Sequence, residues 1–317
     1  MDRMGCKSIG CRHLKKKRYG QWLLAACTLV ILGILASRVE WRRLAEAFRS
    51  ADGELLFMAL LLTIFFPILC TTRWLAVLRS QGVRMSFGRA FRIVMACQPV
   101  GNLTPGKAGD FLKGTVCPSR SVGLGSVLAE RVVDVAVLGV FGVLFGAIVS
   151  SPMAMLGGCI GLGGAAAIIV GARTVASLIK GRPLAEKLNG FLLVFPRLAR
   201  QRRLLVACVV SSSLNWFLSM LQLWMLLHAF GAQAPLTLAV AILPAATFAG
   251  LLPIPTFAGA GPRDAALLYL TLNRVDPAAM LAASIVYTFF GYFLLGLAGL
   301  PFLKELTRQE RDASPGQ

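Results

Sequence analysis

Val122–Val149 reads VGLGSVLAERVVDVAVLGVFGVLFGAIV, an apolar run interrupted by Glu130, Arg131 and Asp134 alone. A helix needs about 20 mostly apolar residues to cross roughly 30 Å of hydrocarbon, and this run is long enough. It lacks the continuous polar stripe that a helix packed on a soluble core turns toward water. Its charged residues are therefore the informative part. Glu130 and Asp134 stand at i,i+4 and share a helix face, with Arg131 three residues before Asp134. Counted from Val122 at 1.5 Å per residue, Glu130 lies about 12 Å inside the span. Ionisable groups at that depth face a polar interior and are candidates for function. The plainer alternative is that 122–129 lies along the interface and the charged cluster caps the span.

Similar runs recur at 20–37, 55–78, 153–172, 204–230, 237–258 and 278–303. Over its 317 residues the chain is 56% hydrophobic and 15% charged, against about 25% charged in soluble domains. The expected fold class is all-α, a polytopic integral membrane helical bundle. The formal charge of +19 would suggest nucleic acid in a soluble protein. Here the basic residues fall between apolar runs, as in cytoplasmic loops, and contact with anionic lipid head groups is the simpler account. No nucleic-acid partner is expected. The eight cysteines form no CxxC pair. Cys6, Cys11 and His13 lack a fourth ligand, so neither a metal nor a cofactor is expected.

Charge asymmetry sets the expected topology. Seven Lys/Arg precede residue 20, and the stretch 173–203 carries eight against one acid, whereas 150–152 and 231–236 carry none. No small-x-small cleavage site follows the first run, which reads as an uncleaved anchor. Residues 1–19 are then a basic cytoplasmic N-terminus, 20–303 a single transmembrane domain and 304–317 a short charged cytoplasmic tail. The protein is expected in the cell (inner) membrane with both termini cytoplasmic. Six full crossings satisfy these counts if two broken segments, about 88–115 and 237–274, are re-entrant hairpins entering from opposite sides. Seven or eight full crossings is the alternative. The two segments share Thr104-x-x-x-Ala-Gly109 and Thr256-x-x-x-Ala-Gly261, each with an Asp following, at Asp110 and Asp264. Opposite insertion of related segments marks inverted-repeat transporters.

Gly101-Asn-Leu-Thr-Pro-Gly106-Lys107 follows the P-loop pattern for seven positions, then Ala108 replaces the hydroxyl residue that would hold Mg²⁺. Nucleotide hydrolysis is not expected. The segment reads either as a tight turn between half-helices or as an anion cradle, with Gly106 and Gly109 admitting backbone N–H groups and Lys107 and Lys113 adding charge. In Pro253-Ile-Pro255-Thr-Phe-Ala-Gly259-Ala-Gly261-Pro-Arg263-Asp264, prolines and glycines at membrane depth free backbone groups that protein or cavity water must satisfy. Arg263 and Asp264 then open a new helix. Arg73 follows eighteen uncharged residues and reads as an edge anchor ahead of a buried role. Ser211, Asn215, Ser219 and Gln222 form one helical stripe, either helix–helix contact or the lining of a hydrated path.

Asn102-Leu-Thr-Pro105-Gly106-Lys107-Ala-Gly109-Asp110, Glu130-Arg131-x-x-Asp134 and the Pro253-to-Asp264 segment together resemble the lysylphosphatidylglycerol synthase transmembrane-region family. Arg73-Trp74 fits as well. Asp110 and Asp264 stand where that family usually has Glu. The resemblance implies a flippase-like domain that handles membrane lipid, here without the soluble aminoacyl-transfer domain. The expected function is binding or translocation of an anionic or glycosylated lipid, not enzymatic catalysis. Asn102, Lys107, Asp110, Lys113, Glu130, Arg131, Asp134, Arg263 and Asp264 are the expected binding residues. Pro105, Gly106, Gly109, Pro253, Pro255, Gly259 and Gly261 are the expected hinges. The charges are expected to share one cavity between the hairpins, because isolated charges in hydrocarbon are expensive. A partner synthase or glycosyltransferase fits this reading. The alternatives are an enzyme acting on polyprenyl phosphate, from Pro118-Ser-Arg-Ser121, and a non-transporting accessory subunit.

Overall fold

Five of the expected crossings form helices long and apolar enough to span a membrane: α2 (Gly53–Ser80), α4 (Arg120–Ile148), α5 (Pro152–Leu178), α7 (Arg202–Ala229) and α10 (Pro277–Phe302). The structure, a computed structural model, describes residues 41–178, 191–252 and 259–306, with Pro105 described by its backbone alone. The expected crossing at 20–37, the basic stretch 1–19, Pro253, Pro255 and residues 307–317 lie outside the described residues. All regular elements among the described residues are helical. The chain is a multi-pass helical membrane protein.

The remaining elements are α1 (Trp41–Arg49), α3 (Phe87–Asn102), α6 (Val194–Arg200), α8 (Leu236–Gly250) and α9 (Pro262–Leu270). Two contact sets define the ends of the bundle. At one, Asp52 donates its N–H to the Ala229 carbonyl (2.9 Å) and Arg274 reaches the Val149 carbonyl (3.1 Å). At the other, Gln201 donates to the Ser80 carbonyl (2.9 Å) and Arg92 pairs with Glu305 (3.2 Å). The second end exposes Arg79, Arg84, Arg89, Arg120, Arg200 and Arg203. At the first end, Arg42, Arg43, Arg49 and Arg274 are interspersed with Glu46, Asp52, Glu54 and Asp276. The two ends thus differ in how far acidic residues accompany their arginines.

α3 leaves the basic end, and the chain turns through a 3₁₀ segment (Pro105–Phe111) and a short helix (Leu112–Thr115) back toward Arg120 at that end. α8 and α9 make the matching excursion from the opposite end. Helices of 16 and 15 residues reach about 24 and 22 Å. Entering a core of roughly 30 Å from opposite sides, their tips overlap in depth. Hairpins of this kind place non-helical backbone at membrane depth, which is tolerable only inside protein.

Local chemistry explains the breaks. Pro67 cannot donate to residue 63, and α2 breaks there, with Thr63 and Ile64 bonding three residues back instead (3.0 and 3.2 Å). α10 widens to a π turn over Phe289–Leu294, a feature common at functional sites. α4 and α5 pack backbone to backbone. A Cβ at Gly158 would stand 2.7 Å from the Gly139 carbonyl oxygen, the close approach that small residues allow.

Candidate functional site

Glu130 and Asp134 are buried on one face of α4, as their spacing requires. The group that joins them is Arg73 of α2, 2% exposed. Its Nε and Nη2 donate to Glu130 Oε1 (3.0 and 2.8 Å), and its Nη1 to Asp134 Oδ1 (2.6 Å). The edge-anchor expectation for Arg73 is therefore corrected. A guanidinium supplies several donors in a fixed fork, and two carboxylates one helical turn apart match that fork. Lys113, from the returning limb of the first hairpin, pairs with the other oxygen of Glu130. Ser212 and Trp216 of α7 donate to Asp134 Oδ1 (2.5 and 3.1 Å). Arg131 pairs with Asp110 of the first hairpin tip; its expected i,i+3 partner Asp134 is 4.0 Å away. Asp110, Lys113, Arg131 and the α4 carboxylates thus form one charge-balanced network with Arg73.

The second hairpin carries a separate group. Gly261, at φ +99°, is the N-cap of α9, and its N–H donates to Asp264 Oδ2 (2.9 Å). Asp264 Oδ1 accepts from Ser284 and from Arg263 Nη2, the latter at 3.3 Å. Arg263 also donates to Thr288, and its guanidinium carbon lies 5.2 Å and 5.0 Å from the ring centres of Tyr287 and Tyr292. Its Nε and Nη1 are buried without a hydrogen-bond partner. From the first hairpin, Lys107 Nζ sits 4.3 Å from the Tyr292 ring centre, and no carboxylate among the described residues pairs with it. Asn102 donates to the Tyr292 carbonyl within the π turn (2.8 Å), so its amide nitrogen ties the first hairpin to α10.

One cavity of about 140 Å³ brings together Lys107, Asp110 and Lys113 from the first hairpin, Glu130, Arg131 and Asp134 from α4, and Arg263 from the second; Asn102 and Asp264, expected with them, are not in its wall. The expected convergence of the hairpins is the observed geometry. Arg73 joins the lining, making five cations and three carboxylates. With Asp264 behind Arg263, the formal excess is one positive charge.

The turn that resembles a P-loop is less open than an anion cradle requires. Thr104 Oγ1 accepts the Gly109 N–H (2.7 Å) and the Thr104 carbonyl accepts the Lys107 N–H (3.1 Å). Gly106 and Lys107 both have positive φ, 58° and 56°, which turns the Lys107 side chain toward α10. Gly109 is required by contact: a Cβ there would lie 2.6 Å from the Val100 carbonyl. Pro118, Ser119 and Arg120 are exposed, and Pro118-Ser-Arg-Ser121 contributes nothing to the cavity wall. In the polar stripe, Asn215, Ser219 and Gln222 line the cavity. Ser219 also bonds Tyr287 (2.6 Å) and Gln222 bonds α2, so helix contact and lining coexist. Tyr287, Tyr292 and Ser212 carry no sequence signal, since each meets the charged groups only through a neighbour on another element.

Two hairpins meeting at a charged cavity inside a helical bundle define a polytopic helical membrane protein with a polar site enclosed among its apolar spans. The model of the lysylphosphatidylglycerol synthase transmembrane region matches residues 21–299, and the chain belongs to that family. No curated protein matches it in sequence.

Proposed function

We propose that the protein binds an anionic lipid head group in the cavity between the hairpin tips and moves it across the bilayer, without chemical conversion. The observation that carries this reading is the unpaired positive charge: among the described residues Lys107 has only an aromatic face, and Arg263 keeps two nitrogens, with three N–H donors, without acceptors. A buried donor left unpaired costs about 1–3 kcal/mol, and a phosphate oxygen would remove that cost. The lipid would supply the counter-charge, while its chains remain among the apolar helix faces. The family's concern with phosphatidylglycerol-derived lipid supports a lipid partner. A head group made or consumed by a separate synthase or glycosyltransferase is the expected setting.

The test is translocation of a fluorescent anionic phospholipid in reconstituted vesicles. Wild-type protein is expected to move the probe across the bilayer, and Lys107→Glu to reduce the rate at least tenfold. A wild-type rate equal to that of protein-free vesicles, or an unchanged Lys107→Glu rate, would refute it.

A further inference from the structure

α10 grips both hairpins, and it does so with different halves. Its first half, Pro277–Thr288, holds the second hairpin: Ser284 donates to Asp264 Oδ1, and Thr288 Oγ1 accepts from Arg263. Tyr287, on the same half, shares a hydrogen bond with Ser219 of α7 (2.6 Å). The second half, from Leu295 to Phe302, holds the first hairpin. A Cβ at Gly299 would fall against the Met95 carbonyl and 2.7 Å from Pro99 Cδ, and just beyond the helix Glu305 pairs with Arg92 (3.2 Å). Between the halves lies the π turn. None of its six residues is buried, whereas Met280, Ala283 and Tyr287 before it and Gly296 and Gly299 after it are. A Cβ on Gly291, inside the turn, would meet nothing within 4 Å. Packed halves on either side of an unpacked turn are the anatomy of a hinge.

One side chain of the turn spans the two hairpins. The Tyr292 ring takes Lys107 Nζ at 4.3 Å from the first and the Arg263 guanidinium carbon at 5.0 Å from the second. Lys107 and Arg263 repel each other, and the negative face of the ring offsets that repulsion, more strongly where water is excluded. We infer that α10 is the joint on which the cavity opens and that Tyr292 is its latch. While the ring holds both cations, the hairpin tips stay together, with the Cβ position of Gly106 3.5 Å from the Leu251 carbonyl oxygen. When the cations leave the ring, the halves of α10 bend apart at the π turn, each carrying its own hairpin. The device is independent of which anion the cavity takes. A π turn holds one residue more than an α-helix would place there, so deleting a single residue makes the helix continuous and keeps both halves in register.

Nitroxide labels at Leu103 and Leu252, both exposed near the hairpin tips, report the tip separation by electron paramagnetic resonance. The full chain, with its native cysteines replaced by alanine, is held in phosphatidylcholine nanodiscs, which supply no anionic lipid. Tyr292→Leu is expected to lengthen the separation, and Tyr292→Phe, which keeps the ring, to leave it as in wild type. Deleting Gly291 from the Tyr292→Leu protein is expected to restore the wild-type separation. An unchanged separation in Tyr292→Leu, or equal lengthening in Tyr292→Phe, would overturn the latch. Lengthening that persists after the deletion would overturn the joint. If the deletion variant fails to fold, amide hydrogen exchange decides. Tyr292→Leu is expected to raise exchange over Phe289–Leu294 by about tenfold or more while the flanking halves keep their wild-type rates, and an unchanged rate in the turn would overturn the joint.

Discussion

Glu130 is the residue on which most of the charged network depends. It is fully buried, and it takes Arg73 on one oxygen and Lys113 on the other. Removing one partner of a buried ion pair strands the other, at about 3–5 kcal/mol. Glu130→Ala is therefore expected to lose that much stability in a thermal or denaturant unfolding series. Arg89→Ala, exposed at the basic end, is expected to stay within about 0.5 kcal/mol. Equal stability of the two variants would contradict the network. The α4 carboxylates were legible in the sequence because their spacing puts them on one face at depth. Arg73 was not, because hydropathy along α2 places it near the end of an apolar run, where edge anchoring is the ordinary outcome. What decides its role is Glu130 and Asp134 on another helix, and no local pattern reports that contact.

At the scale of elements, the two hairpins depend on close backbone approach at their tips. Gly109 lies against Val100 of its own hairpin, and Gly259 has φ +76° with a Cβ position 2.6 Å from the Gly250 carbonyl oxygen. Forcing a methyl group into such a contact shifts backbone and costs about 1–3 kcal/mol. Gly109→Ala is expected to destabilise by that amount and to weaken anionic-lipid binding, because Lys107 and Asp110 share the displaced turn. Gly164→Ala, with nothing within 4 Å of its Cβ, is expected to leave both unchanged. Unfolding and lipid-binding curves of the pair check this directly. The breaks themselves were visible in the sequence as Gly, Pro and charge inside apolar runs, and the hairpin limits agree closely with the expected 88–115 and 237–274. The π turn of α10 was not visible. Phe289–Leu294 is ordinary apolar helix sequence, and its widening is accompanied by Asn102 bonding to Tyr292 from a hairpin nearly two hundred residues away.

In the whole molecule, two oppositely inserted hairpins close on one cavity, and the proposed binding of an anionic lipid head group rests on the surplus positive charge there. Lys107 is the cleanest handle on it, because its ammonium pairs with no described carboxylate and its removal strands none. Native mass spectrometry of the protein extracted in mild detergent measures the bound lipid itself. Wild-type protein is predicted to carry a phosphate-bearing anionic lipid adduct, and Lys107→Gln, with unaltered thermal unfolding, to retain at most about a tenth of its occupancy. A wild-type protein without such an adduct, or a Lys107→Gln variant that carries it at full occupancy, would contradict the account.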